Sequence, residues 1–177
     1  MPLTFRPATH ADIPLLRELA GRIWRACYPG VITAGQIEYM LGWMYSGGKI
    51  AEEMACGVAW ELAFLESAPA GYLSLGFHDI GVADLHKLYL LPDLHGHGLG
   101  QAMLTHVSGI AAGRGCREVR LRVNKKNERA LRSYMQAGFR IVEAVVGEIG
   151  GGFVMDDYIL SRAIEEGGQR RQFAPGY

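Results

Sequence analysis

Apolar residues recur along the chain with two different periods, which predict a mixture of helices and strands. After a short strand over residues 3–6, apolar positions at three-to-four spacing over residues 13–27 are typical of an amphipathic helix, and Tyr28-Pro29-Gly30 ends it. The same spacing predicts further helices near residues 33–45, 49–54, 99–111 and 127–137.

Between the helices, runs rich in β-branched and aromatic residues predict strands at 60–65, 71–77, 83–91, 118–123, 139–147 and 153–161. The first two form a hairpin around residues 67–70. This order predicts an α+β fold with one central, mixed sheet. At 177 residues the chain has room for one compact domain, assigned to residues 1–164, followed by a tail over residues 165–177 that is rich in Gly, Gln, Arg and Pro.

Charge and composition narrow the classes of partner. Eighteen basic and eighteen acidic side chains balance, which argues against nucleic acid as a partner. No apolar run reaches the roughly 20 residues of a membrane span, and the first residues lack the layout of a signal peptide. Three cysteines lie far apart in no metal or redox spacing, so we expect a cytoplasmic protein that binds no metal.

The first motif that indicates a ligand-binding site is a glycine-rich turn between an apolar strand and an amphipathic helix. Its sequence is His95-Gly96-His97-Gly98-Leu99-Gly100-Gln101. Backbone N–H groups at such a turn, together with the positive end of the helix dipole, suit a phosphate or pyrophosphate. The turn is not a P-loop, because no Gly-Lys-Ser/Thr follows it. It is not a dinucleotide fingerprint either, because Met103 stands where the third glycine is required.

A second motif follows about 30 residues later. Asn127 begins a predicted helix, Tyr134 lies two turns further on the same face, and Gly138-Phe139 ends it. Together with the strand, proline and glycine turn upstream, the pattern Asn-x-x-Ala-x-x-x-Tyr-x-x-x-Gly-Phe resembles the Gcn-type N-acetyltransferase superfamily, called GNAT. The resemblance covers residues 3–162.

This resemblance implies a fold and a ligand. The GNAT fold is a twisted, mixed, mostly antiparallel sheet flanked by about four helices, with two strands splayed apart at the acetyl-CoA site. Acetyl-CoA is the implied co-substrate, its pantetheine arm pairing with the backbone of Leu88 and Leu90 and its pyrophosphate lying on the glycine turn. His95 stands where the family commonly has Arg or Gln. The implied cofactor-binding residues are Leu88, Tyr89, Leu90, His95, Gly96, His97, Gly98, Leu99, Gly100, Gln101, Asn127 and Tyr134.

The implied reaction is direct attack of a primary amine on the thioester. Tyr134 is the candidate acid for the leaving thiolate, and a backbone N–H at Leu90 is a candidate donor to the carbonyl oxygen. Asp84 and His86, on one face of the strand before Leu88, are the candidate bases, while an ordinary strand-end role or a water relay remains open for both.

Acceptor identity is the least determined feature. The resemblance points to a small-molecule amine, with Trp24 and Tyr28 as candidate acceptor-binding residues. A polyamine would need acidic partners, and the available ones are Glu38, Asp79, Asp84, Asp156 and Asp157. Two alternatives remain open: an acetyltransferase of protein N-termini or lysines, and a non-catalytic acetyl-CoA-binding regulatory module. Uncovered sheet edges at the final strands predict a homodimer.

Overall fold

The computed structural model describes residues 2–78 and 81–164, so Asp79 and the predicted tail lie outside the described residues. One seven-stranded sheet has the order β1-β2-β3-β4-β5-β7-β6. The strands are β1 Leu3–Pro7, β2 Ala59–Leu65, β3 Ala68–His78, β4 Val82–Leu90, β5 Glu118–Asn124, β6 Arg140–Gly150 and β7 Phe153–Ala163. The helices are α1 Ile13–Cys27, α2 Ala34–Met44, α3 Gly47–Ala55, α4 Leu99–Gly113 and α5 Glu128–Gln136.

The sheet is mixed and mostly antiparallel, which confirms the predicted α+β fold class. The pair β4–β5 is parallel, and the other neighbouring pairs are antiparallel. The resemblance implied about four helices, whereas the apolar spacing predicted five helical segments, and the described residues form five α-helices. Helix α3 extends beyond its predicted segment, residues 49–54, because the Ser46 hydroxyl caps it, accepting a hydrogen bond from the Lys49 N–H at 3.2 Å.

The first hairpin differs from its prediction. Leu65 pairs with Ala68, so Glu66 and Ser67 alone form the turn, and β3 begins three residues earlier than expected. Both turn residues have positive φ, 49° and 70°, which matches the twist of the flanking strands. The Pro69-Ala70 pair that suggested a longer loop instead lies within the strand.

Two apolar cores cover the two faces of the sheet. The core under α4 contains mainly aliphatic residues, including Leu75, Leu85, Met103, Val107, Val119, Leu121 and Leu160. The core under α1, α2 and α3 is rich in aromatic residues, including Leu16, Ile23, Trp24, Tyr45, Trp60 and Tyr72. The predicted apolar stripe of residues 13–27 supplies the second core, and its members Leu16, Leu19 and Ile23 are buried.

A β-bulge interrupts β4. Ser74 of β3 faces Lys87 while Leu75 faces Leu85, so His86 is an extra residue in β4. The bulge reverses the alternation of the strand: Leu85 and Leu88 both belong to the α4 core, although they are three residues apart. The simple period of two, which placed Asp84, His86 and Leu88 on one face, is therefore wrong for Leu88.

Beyond the bulge, β4 and β5 separate. Their last pair is Leu85 with Leu121, although both strands continue for several residues. The splayed strands that the resemblance implied therefore lie immediately after the bulge. We call the space between the two diverging strands, together with the adjoining space under α1 and α2, the cleft.

Within the two described ranges, no helix is long and apolar enough to cross a membrane.

Candidate active site

The cleft has a volume of about 1250 Å³ and is lined by residues from β4, β5, β7, α1, α2, α3 and α5 and from the glycine turn. Most of the residues predicted to bind the cofactor line it. These are Leu88, Tyr89, Leu90, His95, Gly96, Gly98, Gly100, Gln101, Asn127 and Tyr134. Two others, His97 and Leu99, are not among the lining residues, since the His97 side chain is exposed and Leu99 packs on the α4 core.

The backbone of β4 presents hydrogen-bonding groups to the cleft. The Leu91 N–H donates to the Ala70 carbonyl oxygen at 2.9 Å, and Leu90 faces Gly71. Bonded and non-bonded pairs alternate in an antiparallel ladder, so the N–H and carbonyl groups of Leu88 and Leu90 point away from β3 and toward β5. An extended chain lying in the cleft would therefore find a strand edge to pair with.

The glycine turn forms an open cradle of N–H groups. Gly96 and Gly98 have φ of 83° and 74°, a backbone region that residues other than glycine rarely adopt. A Cβ atom at Gly96, Gly98 or Gly100 would meet no atom within 4 Å, so these positions face open space. Within residues 2–78 and 81–164, none of the N–H groups of residues 96–100 donates a hydrogen bond to a backbone carbonyl. These free donors at the start of the 15-residue helix α4 suit a pyrophosphate.

The side chain of His95 is engaged within the protein. Its Nε2 lies 3.0 Å from the Leu90 carbonyl oxygen, and because a carbonyl only accepts, Nε2–H is the donor. This bond ties the end of β4 to the turn. Basic charge comes instead from α5, where Arg129 and Arg132 line the cleft.

Helix α5 carries the second motif. The Asn127 Oδ1 accepts a hydrogen bond from the Ala130 N–H at 3.2 Å, which caps the helix as predicted. The Tyr134 ring packs edge-on against Phe139, with centroids 5.7 Å apart, and its hydroxyl has no hydrogen-bond partner in the described part of the chain. Burial raises the pKa of Tyr134, so the hydroxyl keeps its proton at neutral pH.

The opposite wall of the cleft is aromatic. Trp24 stacks on Tyr28 at 4.2 Å, and the Tyr28 and Tyr89 hydroxyls lie 2.8 Å apart. Trp24 is buried and donates its indole N–H to the Tyr45 hydroxyl at 3.2 Å. Both predicted acceptor-binding residues, Trp24 and Tyr28, therefore lie in the cleft wall, with Trp24 serving the core as well.

The two candidate bases lie at the edge of the cleft. Asp84 is held 2.6 Å from His78, and it pairs with Arg120 before β4 and β5 separate. His86 is the bulged residue, and its ring passes over Gly76 at a distance that leaves no space for a Cβ there. Desolvation lowers the pKa of His86, and the neighbouring positive charge of Lys87 acts in the same direction.

Two features of the cleft were not predicted from the sequence. Lys87 is 3% exposed and forms an ion pair with Glu53 at 3.2 Å, with its ammonium group 4.6 Å from the centre of the Trp60 ring. Asp157, previously named only among the acidic residues, is 1% exposed and lines the cleft. Its signal in the sequence is a carboxylate that alternates with the apolar residues Met155 and Ile159 along one face of β7. In the described residues, no group of three or more His, Cys, Asp or Glu residues has a metal-binding arrangement.

Comparison with known proteins identifies the family. The family model described as acetyltransferase (GNAT) family matches residues 18–139, which include β4, the glycine turn and α5. The chain belongs to the GNAT acetyltransferase family. The family and fold inferred from the two sequence motifs are thereby confirmed.

Relatives of this GNAT protein carry matching names. An uncharacterised N-acetyltransferase of Mycobacterium tuberculosis is 38% identical over 94 residues, which are 53% of this chain and 60% of that protein. The chain thus spans less than two thirds of the length of that curated relative. Spermidine N(1)-acetyltransferase of Thermoplasma acidophilum is 26% identical over 161 residues, covering 88% of this chain and 97% of that enzyme. These names agree with the predicted enzyme class, an acetyl-CoA-dependent acyltransferase.

Among solved structures, the PaiA N-acetyltransferase of Thermoplasma acidophilum in complex with coenzyme A is similar, with a TM-score of 0.78 and 25% identity. The similarity covers 92% of this chain and 99% of that one. That protein binds coenzyme A, the product of acetyl transfer from acetyl-CoA.

Proposed function

We propose that this protein transfers the acetyl group of acetyl-CoA to a primary amine of a small molecule by direct attack. The observation that carries the proposal is the juxtaposition of three features at one cleft. These are the outward-facing backbone of Leu88 and Leu90, the N–H groups of the glycine turn, and the hydroxyl of Tyr134; among the described residues, neither these N–H groups nor this hydroxyl has a hydrogen-bond partner. Each suits a different part of a thioester of coenzyme A.

In the proposed arrangement, the pantetheine arm pairs with Leu88 and Leu90 as an additional strand, and residues 96–100 bind the pyrophosphate through backbone N–H groups. Asn127 lies beside the same space as the cap of α5. The Leu90 N–H is the proposed donor to the thioester oxygen as negative charge develops on it. Tyr134 gives its proton to the departing sulfur.

A small acceptor is favoured over a peptide by the shape of the acceptor side. Helices α1, α2 and α3 cover this face of the sheet, and the rings of Trp24, Tyr28 and Tyr89 form one packed wall. A peptide substrate needs an open groove for an extended chain. The similarity to spermidine N(1)-acetyltransferase supports an amine of low molecular mass.

An acceptor screen tests the proposal. Purified protein is mixed with acetyl-CoA and either spermidine, simple alkylamines or peptides with free N-termini and lysines, and free thiol is followed. We expect thiol release with small amines. Release with peptides alone would favour the protein acetyltransferase, and acetyl-CoA binding without any acceptor would favour the regulatory module.

The glycine turn is tested separately by binding. Replacing Gly98 and Gly100 together by Leu fills the cradle, so calorimetry should find acetyl-CoA affinity reduced at least tenfold. The control is Gly109→Ala in the same helix, where a Cβ also meets no atom within 4 Å but lies away from the turn. Unchanged affinity in a folded Gly98→Leu/Gly100→Leu protein would contradict the assignment of the pyrophosphate site.

A further inference from the structure

Among the described residues, the cleft contains one buried carboxylate without a hydrogen-bond partner. Of the acidic residues available to an amine, Glu38 pairs with Arg25 at 2.7 Å, and Asp84 pairs with His78. Asp157 differs, because neither of its carboxylate oxygens has a hydrogen-bond partner in residues 2–78 and 81–164. Leaving a buried carboxylate unpaired costs several kcal/mol in general, so such a group is retained where a ligand or a reaction requires it.

The position of Asp157 is at the level of the expected reaction. Its partner across the sheet is Asn124 at the end of β5, and antiparallel partners present their side chains on the same face. The last parallel pair is Leu85 with Leu121, and Asn124 is three residues beyond it on β5. On β4 the bulged His86 does not count as a ladder position, so Leu88 is two positions beyond that pair and Tyr89 is three. Asp157 therefore lies at about the level of Tyr89, between Leu88 and Leu90, whose backbone groups point toward β5.

Asp84 lies further from this point. It precedes Leu88 by four residues, one of which is the bulged His86, so the two are about 10 Å apart along the strand. It also lies where β4 and β5 are still paired, next to Arg120. Of these two carboxylates, Asp157 is the one at the level where the strands have separated.

Asp157 and the candidate acid share a neighbour, Tyr28. Burial raises the pKa of Tyr28 to about 12, and the charge of Asp157 acts in the same direction. Burial also raises the pKa of Tyr134, and Tyr28 adds to that rise. Asp157, Tyr28 and Tyr134 all line the cleft, so the carboxylate and the Tyr134 hydroxyl border one space. A base and an acid on either side of the thioester is the arrangement that aminolysis needs.

Burial and the charges around Asp157 together leave its pKa above the ordinary value. Burial raises the pKa of Asp157, and Asp156 adds to the rise, while Arg122 on β5 and Lys125 oppose it. Lys125 is itself paired with Asp156. A carboxylate whose pKa is raised toward neutrality is a better proton acceptor than an exposed one.

We propose that Asp157 binds the ammonium group of the acceptor and accepts its first proton, an inference that rests on the proposed acetyl transfer. The ammonium group gives one proton to Asp157, and the free amine attacks the thioester carbonyl. The C–S bond breaks, and the sulfur takes a proton from Tyr134. The nitrogen then loses a second proton, which restores Tyr134. Asp157 releases its proton to solvent, so the net products are the acetylamide, coenzyme A and one proton.

This assignment defines the acceptor class. The substrate is an alkylammonium ion with an apolar stem, because the charge meets Asp157 while the stem meets the rings of Trp24 and Tyr28. Amines that carry a carboxylate beside the amino group are disfavoured, since that carboxylate would repel Asp157.

The test compares two neighbouring carboxylates on opposite faces of β7. Asp157→Asn should lower kcat/KM for spermidine at least 100-fold and remove the acidic limb of its pH profile, while KM for acetyl-CoA stays within twofold. The control Asp156→Asn removes an exposed carboxylate bound to Lys125 and should change kcat/KM less than twofold. Normal kcat/KM in a folded Asp157→Asn protein would overturn the inference.

Two further measurements keep the inference testable. If Asp157→Asn does not fold, wild-type inhibition decides: an alkyltrimethylammonium ion should compete with spermidine at least tenfold better than the alcohol with the same stem, and equal inhibition would overturn the role of charge. If the wild-type protein binds acetyl-CoA but acetylates no amine, the proposed function itself fails. Active wild type with unaffected Asp157→Asn refutes this inference alone.

Discussion

Tyr134 combines a packed ring with the hydroxyl that is proposed to act as the acid. Its ring contacts Phe139, whereas its hydroxyl contacts no polar partner among the described residues. In Tyr134→Phe, we expect the maximal rate to fall roughly 10- to 10,000-fold, as for loss of a general acid, with acetyl-CoA affinity nearly unchanged. Steady-state kinetics and a melting curve measure both effects. A folded variant with full activity would remove Tyr134 from the mechanism, and a destabilised variant with normal turnover would indicate a structural tyrosine.

The burial of Asp157 predicts how the free energy of unfolding depends on pH. Burial raises its pKa in the folded state, so the unfolded chain loses this proton first as the pH rises. Folding is therefore unaffected below the ordinary pKa of about 4 and is weakened as the pH rises from there through the raised pKa. Asp157→Asn should stabilise the protein by about 1 to 3 kcal/mol at pH 8 and by much less near pH 4. Denaturant unfolding at the two pH values measures the difference; an equal effect at both would show that the carboxylate is compensated.

At the scale of elements, helix α3 is joined to β4 by the ion pair of Glu53 and Lys87. Burial lowers the pKa of Lys87, and the carboxylate of Glu53 opposes that shift. Glu53→Gln should destabilise the fold by about 3 to 5 kcal/mol, because it leaves a buried ammonium group without its partner. Glu52→Gln breaks an exposed pair with Lys49 in the same helix and should cost less than about 1 kcal/mol. If urea unfolding shows similar losses of stability in both variants, water solvates the Lys87 ammonium group when Glu53 is replaced.

The elements also show where sequence patterns stop being informative. The apolar spacing of α1 and the two motifs predicted the helices, the glycine turn and the cap at Asn127. The bulge at His86 was not predictable, because the same sequence is compatible with a regular strand. The bulge changes only which face of the sheet the residues after His86 occupy. The pairing of Lys87 with Glu53 and the isolation of Asp157 depend on contacts between elements distant in the chain, so a local pattern does not contain them.

For the whole molecule, the homodimer remains a prediction, and it concerns the edge of the sheet at β6. Strand β6 forms one end of the sheet, and Val142 and Val146 on it are 58% and 68% exposed. Pairing of this strand with a second copy would cover both. Light scattering at micromolar concentration should give twice the chain mass of 19.4 kDa, and Val146→Lys should shift it toward the monomer. A wild-type mass near 19.4 kDa would refute the dimer.

The stacking of Trp24 on Tyr28 has a consequence for spectroscopy. Indole fluorescence depends on the polarity and contacts of the ring, and Trp24 is buried in the wall against which the acceptor would bind. Trp60 is also buried, in contact with the Lys87 ammonium group, whereas Trp43 is 45% exposed. The emission spectrum therefore combines buried and solvated components, and Trp43→Phe would remove the solvated one. If the acceptor binds against this wall as proposed, we expect the fluorescence of Trp24 to change on binding, without any labelled ligand or turnover.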